Sequence, residues 1–149
     1  MGLVTDAALT VPVGNVSPEA TRLILTTERA LREGIGAIGK GTRLGDLGYT
    51  IQQIIEGEGF HTIRELVGHG VGNDLHEDPY VPNYGVPGKG QTLKEGMVIA
   101  IEPMATIGDP DVELGEDKWT WQTPDKSLAA HFEHTVYIGG DGAEVLTRP

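Results

Sequence analysis

Apolar residues recur at helical spacing twice in the first part of the chain and fall into strand-length runs afterwards. Ala20, Leu23, Ile24, Thr27, Ala30 and Leu31 make one stripe that runs to about Gly34. Ser17-Pro18-Glu19 stands in front of it. A serine hydroxyl can accept from a free amide of the first turn, proline suits the first helical position, and a glutamate there faces the positive end of the helix dipole. This predicts a helix over 17–34. After a break at Gly39-Lys40-Gly41, a second helix opens near Thr42 and spans about 44–58, with Leu44, Leu47, Ile51, Ile54 and Ile55 inward and Gly59 as its stop.

Residues 3–13 read as a strand that Pro12 and Gly14 bring to an end. Beyond Gly59 the pattern changes to strands over 61–67, 97–105, 118–123, 132–139 and 143–147, the last two joined by the hairpin signal Gly139-Gly140-Asp141-Gly142. Residues 82–96 carry Pro82, Pro87 and several glycines and read as a surface loop. Two helices beside antiparallel strands predict an α+β fold, and 149 residues predict one domain, 1–149.

Composition narrows the function. With 11 basic and 22 acidic residues the net charge is −11, which excludes the basic patches a nucleic-acid surface needs. The absence of cysteine excludes disulfides and thiolate metal sites. No apolar run is long enough to span a membrane and no secretory leader is legible, so a cytoplasmic location is the expectation.

The chemistry concentrates in Gly68-His69-Gly70-Val71-Gly72-Asn73-Asp74-Leu75-His76-Glu77-Asp78-Pro79, two histidines in glycine-rich, turn-forming sequence. Glu102 and Glu133 each interrupt an apolar, strand-like run, and Asp6 sits inside the first predicted strand. A carboxylate in an apolar strand is costly to bury without a partner, and imidazole with carboxylates is a donor set for hard-to-borderline divalent ions. Each residue singly has a plainer reading: Asp6 as a capping or edge residue, His69 in a turn, Glu102 and Glu133 as solvated charges. Together they read as a metal site built from Asp6, His69, Glu102 and Glu133, with His76 placed to hydrogen-bond a substrate. His61, His131 and His134 read as surface groups or neighbours of the site.

At these residues the chain resembles the methionine aminopeptidases. The resemblance is carried by Gly68-His69-Gly70-Val71-Gly72, His76-Glu77-Asp78-Pro79, Val81-Pro82-Asn83-Tyr84, Gly96-Met97, Ile101-Glu102-Pro103-Met104, Trp119-Thr120, Asp125-Lys126-Ser127-Leu128 and Phe132-Glu133-His134-Thr135. It implies the α+β "pita-bread" fold, two pseudo-symmetric halves around a dinuclear centre, and removal of the initiator methionine from nascent polypeptides. It implies that Asp6 and Glu133 bridge ions and that His69 and Glu102 ligate one ion; of the two glutamates, Glu102 is read as the proton acceptor. It further implies that His76 contacts substrate, and that Leu75 and Trp119 border the methionine pocket. The 31-residue spacing from Glu102 to Glu133 resembles the first, shorter type of the family.

One further aspartate ligand, a second histidine and much of the methionine pocket lie, in the family, before the point that aligns with Met1. The resemblance therefore implies the C-terminal part of a catalytic domain, an incomplete pita-bread fold. One tight site for Co, Mn, Fe or Zn is expected where the family holds up to two ions. Activity of the chain alone is expected to be impaired, with self-association or a complementing N-terminal segment covering its open faces. The alternatives are a non-catalytic pita-bread protein-binding domain and a metal-binding domain without hydrolytic activity.

Overall fold

Ser17 caps the first helix, α1 (Pro18–Gly36), by accepting from the Ala20 amide at 3.1 Å, with Pro18 at the first helical position. The helix runs two residues past Gly34, because Ala37 takes the capping role. The second helix, α2 (Leu44–Gly57), is held at its start by the Asp46 carboxylate, which accepts from the Arg43 amide at 2.8 Å. Gly59 follows with φ +81°, the left-handed turn that ends it. Leu23, Ala30 and Leu31 of α1 and Leu47, Ile51 and Ile55 of α2 are buried between the helices and the sheets. Each leucine or isoleucine withdrawn this way contributes about 1.5–3 kcal/mol of hydrophobic stabilisation before entropy is counted.

The protein, seen here as a computed structural model, is described over residues 2–148. Its strands are β1 (Ala7–Ala8), β2 (His61–Thr62), β3 (Gly68–Gly70), β4 (Glu77–Val81), β5 (Val98–Ile101), β6 (Met104–Thr106), β7 (Glu113–Leu114), β8 (Trp121–Gln122), β9 (Ala129–His131), β10 (Glu133–Ile138) and β11 (Ala143–Val145). They form a six-stranded antiparallel sheet ordered β1-β10-β5-β3-β4 with β11 also on β10, a three-stranded sheet β2-β6-β9, and the hairpin β7-β8. The α+β expectation holds, as does the hairpin at 139–142, where β10 and β11 pair Ile138 with Ala143.

Several strand boundaries move. Only Ala7–Ala8 of the expected strand 3–13 pairs, so Asp6 lies just before β1 instead of within a strand. The run 61–67 pairs only at His61–Thr62. The expected strand 97–105 is two strands, β5 and β6, broken at Glu102-Pro103, and 132–139 is preceded by β9, with Phe132 as the break. Each pair changes sheet at its break. β5 and β10 belong to the larger sheet while β6 and β9 belong to the smaller, with Ile101 opposite His134 and Met104 opposite His131. Pro103 supplies no amide, and its carbonyl accepts from Phe132 at 3.3 Å, so the two breaks lie side by side.

The stretch 68–79, read as turn-forming, supplies two strands, β3 and β4. The glycines around His69 serve strand packing more than access to an ion. A Cβ on Gly68 would run into the Ala100 carbonyl of β5, and one on Gly70 into the Asp78 carbonyl of β4. With no side chain at Gly68 or Gly70, β3 fits between two neighbours in the irregular register that joins it to β4.

Candidate metal centre

His69 is fixed by its own strand. Its Nδ1 lies 2.9 Å from the Gly70 carbonyl oxygen, which can only accept, so Nδ1 is the donor and, in the neutral ring, Nε2 carries the lone pair. That Nε2 faces Glu102 Oε1 at 3.7 Å, and the residue is buried. Glu102 stands at the break between β5 and β6, its backbone carbonyl accepting from Asn83 Nδ2 at 3.0 Å. Glu133 opens β10 and is 4 % exposed. Asp6 is set against β10 by a reciprocal clasp, in which the Asp6 amide donates to Thr135 Oγ1 and that hydroxyl donates to the Asp6 carbonyl, both at 2.8 Å.

The four expected ligands therefore come from four segments to one place. Donor atoms of Asp6, His69 and Glu133 lie within 4.8 Å of one another, and so do those of Glu102, His131 and Glu133. The electrostatics is that of a site short of positive charge. Burial, and then the neighbouring Glu102 and Asp6 carboxylates, push Glu133 up from 4.5 to about 7, with His131 opposing. Glu133 Oε1 is buried without a hydrogen-bond partner among the described residues. Converging carboxylates, an orphaned carboxylate oxygen and an imidazole lone pair fit a divalent cation, which would neutralise the first and ligate the others.

His69, His76, Glu102, Met104, Trp121 and His131 help line a cavity of about 920 Å³ beside this cluster. His76, exposed in the turn before β4, meets the His69 ring edge-on with centroids 4.4 Å apart. Leu75 and Trp119 do not line the cavity. Trp119 is 85 % exposed in the turn before β8, so the tryptophan at the cavity is Trp121, two residues on.

His131, read from the sequence only as a surface group or neighbour of the site, stands within the cluster. Its Nε2 lies 3.3 Å from Glu102 Oε2 and 4.0 Å from Glu133 Oε2. A signal existed: residues two apart in extended chain point to one face, so His131 was bound to share a side with Glu133. His134, next in sequence to Glu133, points the other way to Thr147 Oγ1 at 2.9 Å. His61 is exposed at the start of β2.

Residues 1–139 match the model of metallopeptidase family M24. The chain belongs to that family. It is 48% identical over 143 residues to methionine aminopeptidase 1 of Bacillus subtilis, covering 96% of this chain and 58% of that protein. Against the methionine aminopeptidase of Clostridium perfringens it is 48% identical over 146 residues, with 98% and 59% covered. The crystal structure of the Thermotoga maritima methionine aminopeptidase superposes with a TM-score of 0.97 at 49% identity, over 99% of this chain and 59% of that one. Prolidase from Pyrococcus furiosus gives a TM-score of 0.74 at 27% identity, over 99% and 38%. The chain thus spans about three-fifths of the length of the methionine aminopeptidases named here. The M24 pita-bread fold and divalent-metal use follow from family membership. Among the described residues no helix is long and apolar enough to cross a membrane.

Proposed function

We propose that this M24 chain carries the catalytic cluster of a metal-dependent aminopeptidase that removes the N-terminal, initiator methionine from nascent polypeptides. The observation behind the reading is the meeting of Asp6, His69, Glu102 and Glu133 beside the 920 Å³ cavity that His76 also lines. The names of the relatives at 48–49% identity supply the substrate class.

In this reading Asp6, His69, Glu102 and Glu133 would hold one divalent ion tightly, Co, Mn, Fe or Zn. When bound, the ion supplies Lewis acidity toward a peptide carbonyl and makes water acidic near neutral pH. Glu102 takes the proton that water gives up as it adds to the carbonyl carbon. It returns that proton to the departing amine nitrogen as the C–N bond breaks. A His76 N–H donates to the oxygen on which negative charge develops, an interaction whose loss typically costs about 10²–10³-fold in rate. Met104 and Trp121 offer apolar surface for the methionine side chain, and Leu75, exposed next to His76, borders its approach.

Full activity, in the same reading, calls for a complementing N-terminal segment equivalent to the part of the relatives that this chain does not span. The exposed Leu3, Leu9, Val11 and Val13 beside β1 are the surface it would cover, and self-association is the expected behaviour without it.

The test combines calorimetry with hydrolysis of Met-Ala-Ser against Leu-Ala-Ser, with and without a separately expressed complementing segment. One tight divalent ion per chain is expected, lost in His69→Ala. Methionine-selective cleavage should reach full rate only with the segment, and His76→Ala should then lower kcat while leaving metal affinity intact. Unchanged tight binding in His69→Ala, or cleavage without methionine preference in the complemented enzyme, would overturn the reading.

A further inference from the structure

The loop that follows β4 is strapped onto the first turns of α2. The Gly88 amide donates to Asp46 Oδ1 at 2.6 Å, the Gly45 amide to the Lys89 carbonyl at 3.0 Å, and Arg43 Nη1 to the Gly90 carbonyl at 2.8 Å. Between β4 and these anchors, backbone lies directly on backbone. A Cβ on Gly48 would collide with the Pro82 and Tyr84 carbonyl oxygens, and one on Gly45 with those of Val86 and Lys89. Glycine inside a helix costs about 0.5–1 kcal/mol relative to alanine, so Gly48 serves this close approach and not the helix.

Asn83 stands between the two residues whose carbonyls rest on Gly48, and it is fully buried. Its Nδ2 donates to the Glu102 carbonyl at 3.0 Å. A carbonyl can only accept, so this contact fixes which way the side-chain amide is turned. Glu102 lies outside both strands, after β5 and before β6, and Asn83 supplies its carbonyl with a donor there. At the other end of the amide, Oδ1 is buried with no hydrogen-bond partner among the described residues. Leaving a buried acceptor unpaired costs about 1–3 kcal/mol. A leucine of comparable size would fill the space without that cost, so what asparagine adds is the bond to Glu102.

We propose that Asn83 is a positioning residue for Glu102: its amide fixes the backbone at the β5–β6 break, and with it the direction of the Glu102 carboxylate. The footing of that bond is α2, on which the Asn83 segment rests through Gly48. The two carboxylate oxygens face His69 Nε2 at 3.7 Å and His131 Nε2 at 3.3 Å, so a rotation of the backbone at Glu102 would draw both away from the cluster together. This deepens the metal-dependent reading proposed above and rests on it. Removing a partner that orients a metal ligand typically costs about 10–100-fold in metal affinity.

The experiment titrates the 149-residue chain with Co²⁺ and with Mn²⁺ by calorimetry and compares two variants. Asn83→Leu keeps the bulk and removes the donor, and its affinity for both ions should fall about 10–100-fold. Asn83→His puts a ring Nδ1 on Cγ, where asparagine carries Nδ2, and should recover most of that loss. A role in stability alone would lower the unfolding midpoint of Asn83→Leu and leave its affinity as it was. The unaltered, metal-free chain gives a second measurement that no folding failure touches: a scalar coupling across the hydrogen bond from Asn83 ¹⁵Nδ2 to the Glu102 carbonyl ¹³C. The proposal is overturned if that coupling is absent, if Asn83→Leu binds as the wild type does, or if Asn83→His binds as weakly as Asn83→Leu. Absence of tight binding in the wild-type chain would refute the site assigned under the proposed function and this inference with it.

Discussion

Glu133 and Asp125 are both carboxylates beside β-strand ends, yet their surroundings drive them in opposite directions. Asp125 lies in the turn after β8, where its Oδ2 accepts from the Asp109 amide at 2.8 Å and its Oδ1 from the Ser127 amide at 2.9 Å. Those amide donors, Asp109 first, hold it down from 3.8 to about 2. Glu133 is buried, has an oxygen with no partner, faces Glu102 and Asp6, and is pushed up to about 7. A carboxylate that ties a loop together is supplied with donors by the backbone. Glu133, a candidate metal ligand, is left short of donors, which disfavours its charged form.

The largest effect that tests this contrast is on the pH dependence of stability. The metal-free fold favours protonated Glu133, so its share of stability is complete below pH 4.5 and is lost as pH rises through about 7. The loss amounts to about 3 kcal/mol over that window. Urea unfolding of the metal-free chain should show this decline, and Glu133→Gln should flatten it and raise stability at neutral pH while abolishing tight metal binding. A flat profile in the wild-type chain would mean that burial, and then the neighbouring Glu102 and Asp6 carboxylates, do not disfavour charged Glu133.

A smaller effect is expected from Gly108→Ala. A Cβ there would collide with Asp125 Oδ2 and with Ser127, pushing apart the clasp that joins the β6–β7 connection to the turn after β8. Overpacking of this kind costs about 1–3 kcal/mol. The midpoint of unfolding should fall with metal affinity unchanged; a fall in affinity as well would show that the clasp and the metal cluster are coupled.

The smallest expected change is that of Asp125→Asn. With a depressed pKa, Asp125 contributes above pH 3.8 and ceases to as pH drops through about 2. At neutral pH the variant should speed hydrogen exchange at the Asp109 and Ser127 amides and leave the rest of the chain as it was. Unchanged exchange at those two amides would show that the clasp is not what orders this loop.

Much of this was legible in the chain. The helix starts and stops follow from local chemistry that needs no tertiary partner: Ser17-Pro18 at one end, Gly59 at the other. The candidate donors were legible too, because an acid inside an apolar run, as at Glu102 and Glu133, calls for a partner. Strand extent was harder to read. Pairing depends on a neighbour, so most of 3–13 stays unpaired while β3 and β4 arise inside a stretch rich in turn-forming residues. That Trp121 and not Trp119 lines the cavity was illegible for the same reason, since a two-residue hairpin arm decides which ring meets it.

By itself, then, the sequence determined the two helices and the α+β class and singled out Asp6, His69, Glu102 and Glu133 as candidate donors, all by residue type and short-range spacing. Only the tertiary structure decided that β5–β6 and β9–β10 each change sheet at adjacent breaks. That junction sets His131 against Glu102 and leaves Glu133 short of donors, because the distances there belong to strands about 30 residues apart in the chain, which the larger sheet pairs and local pattern does not.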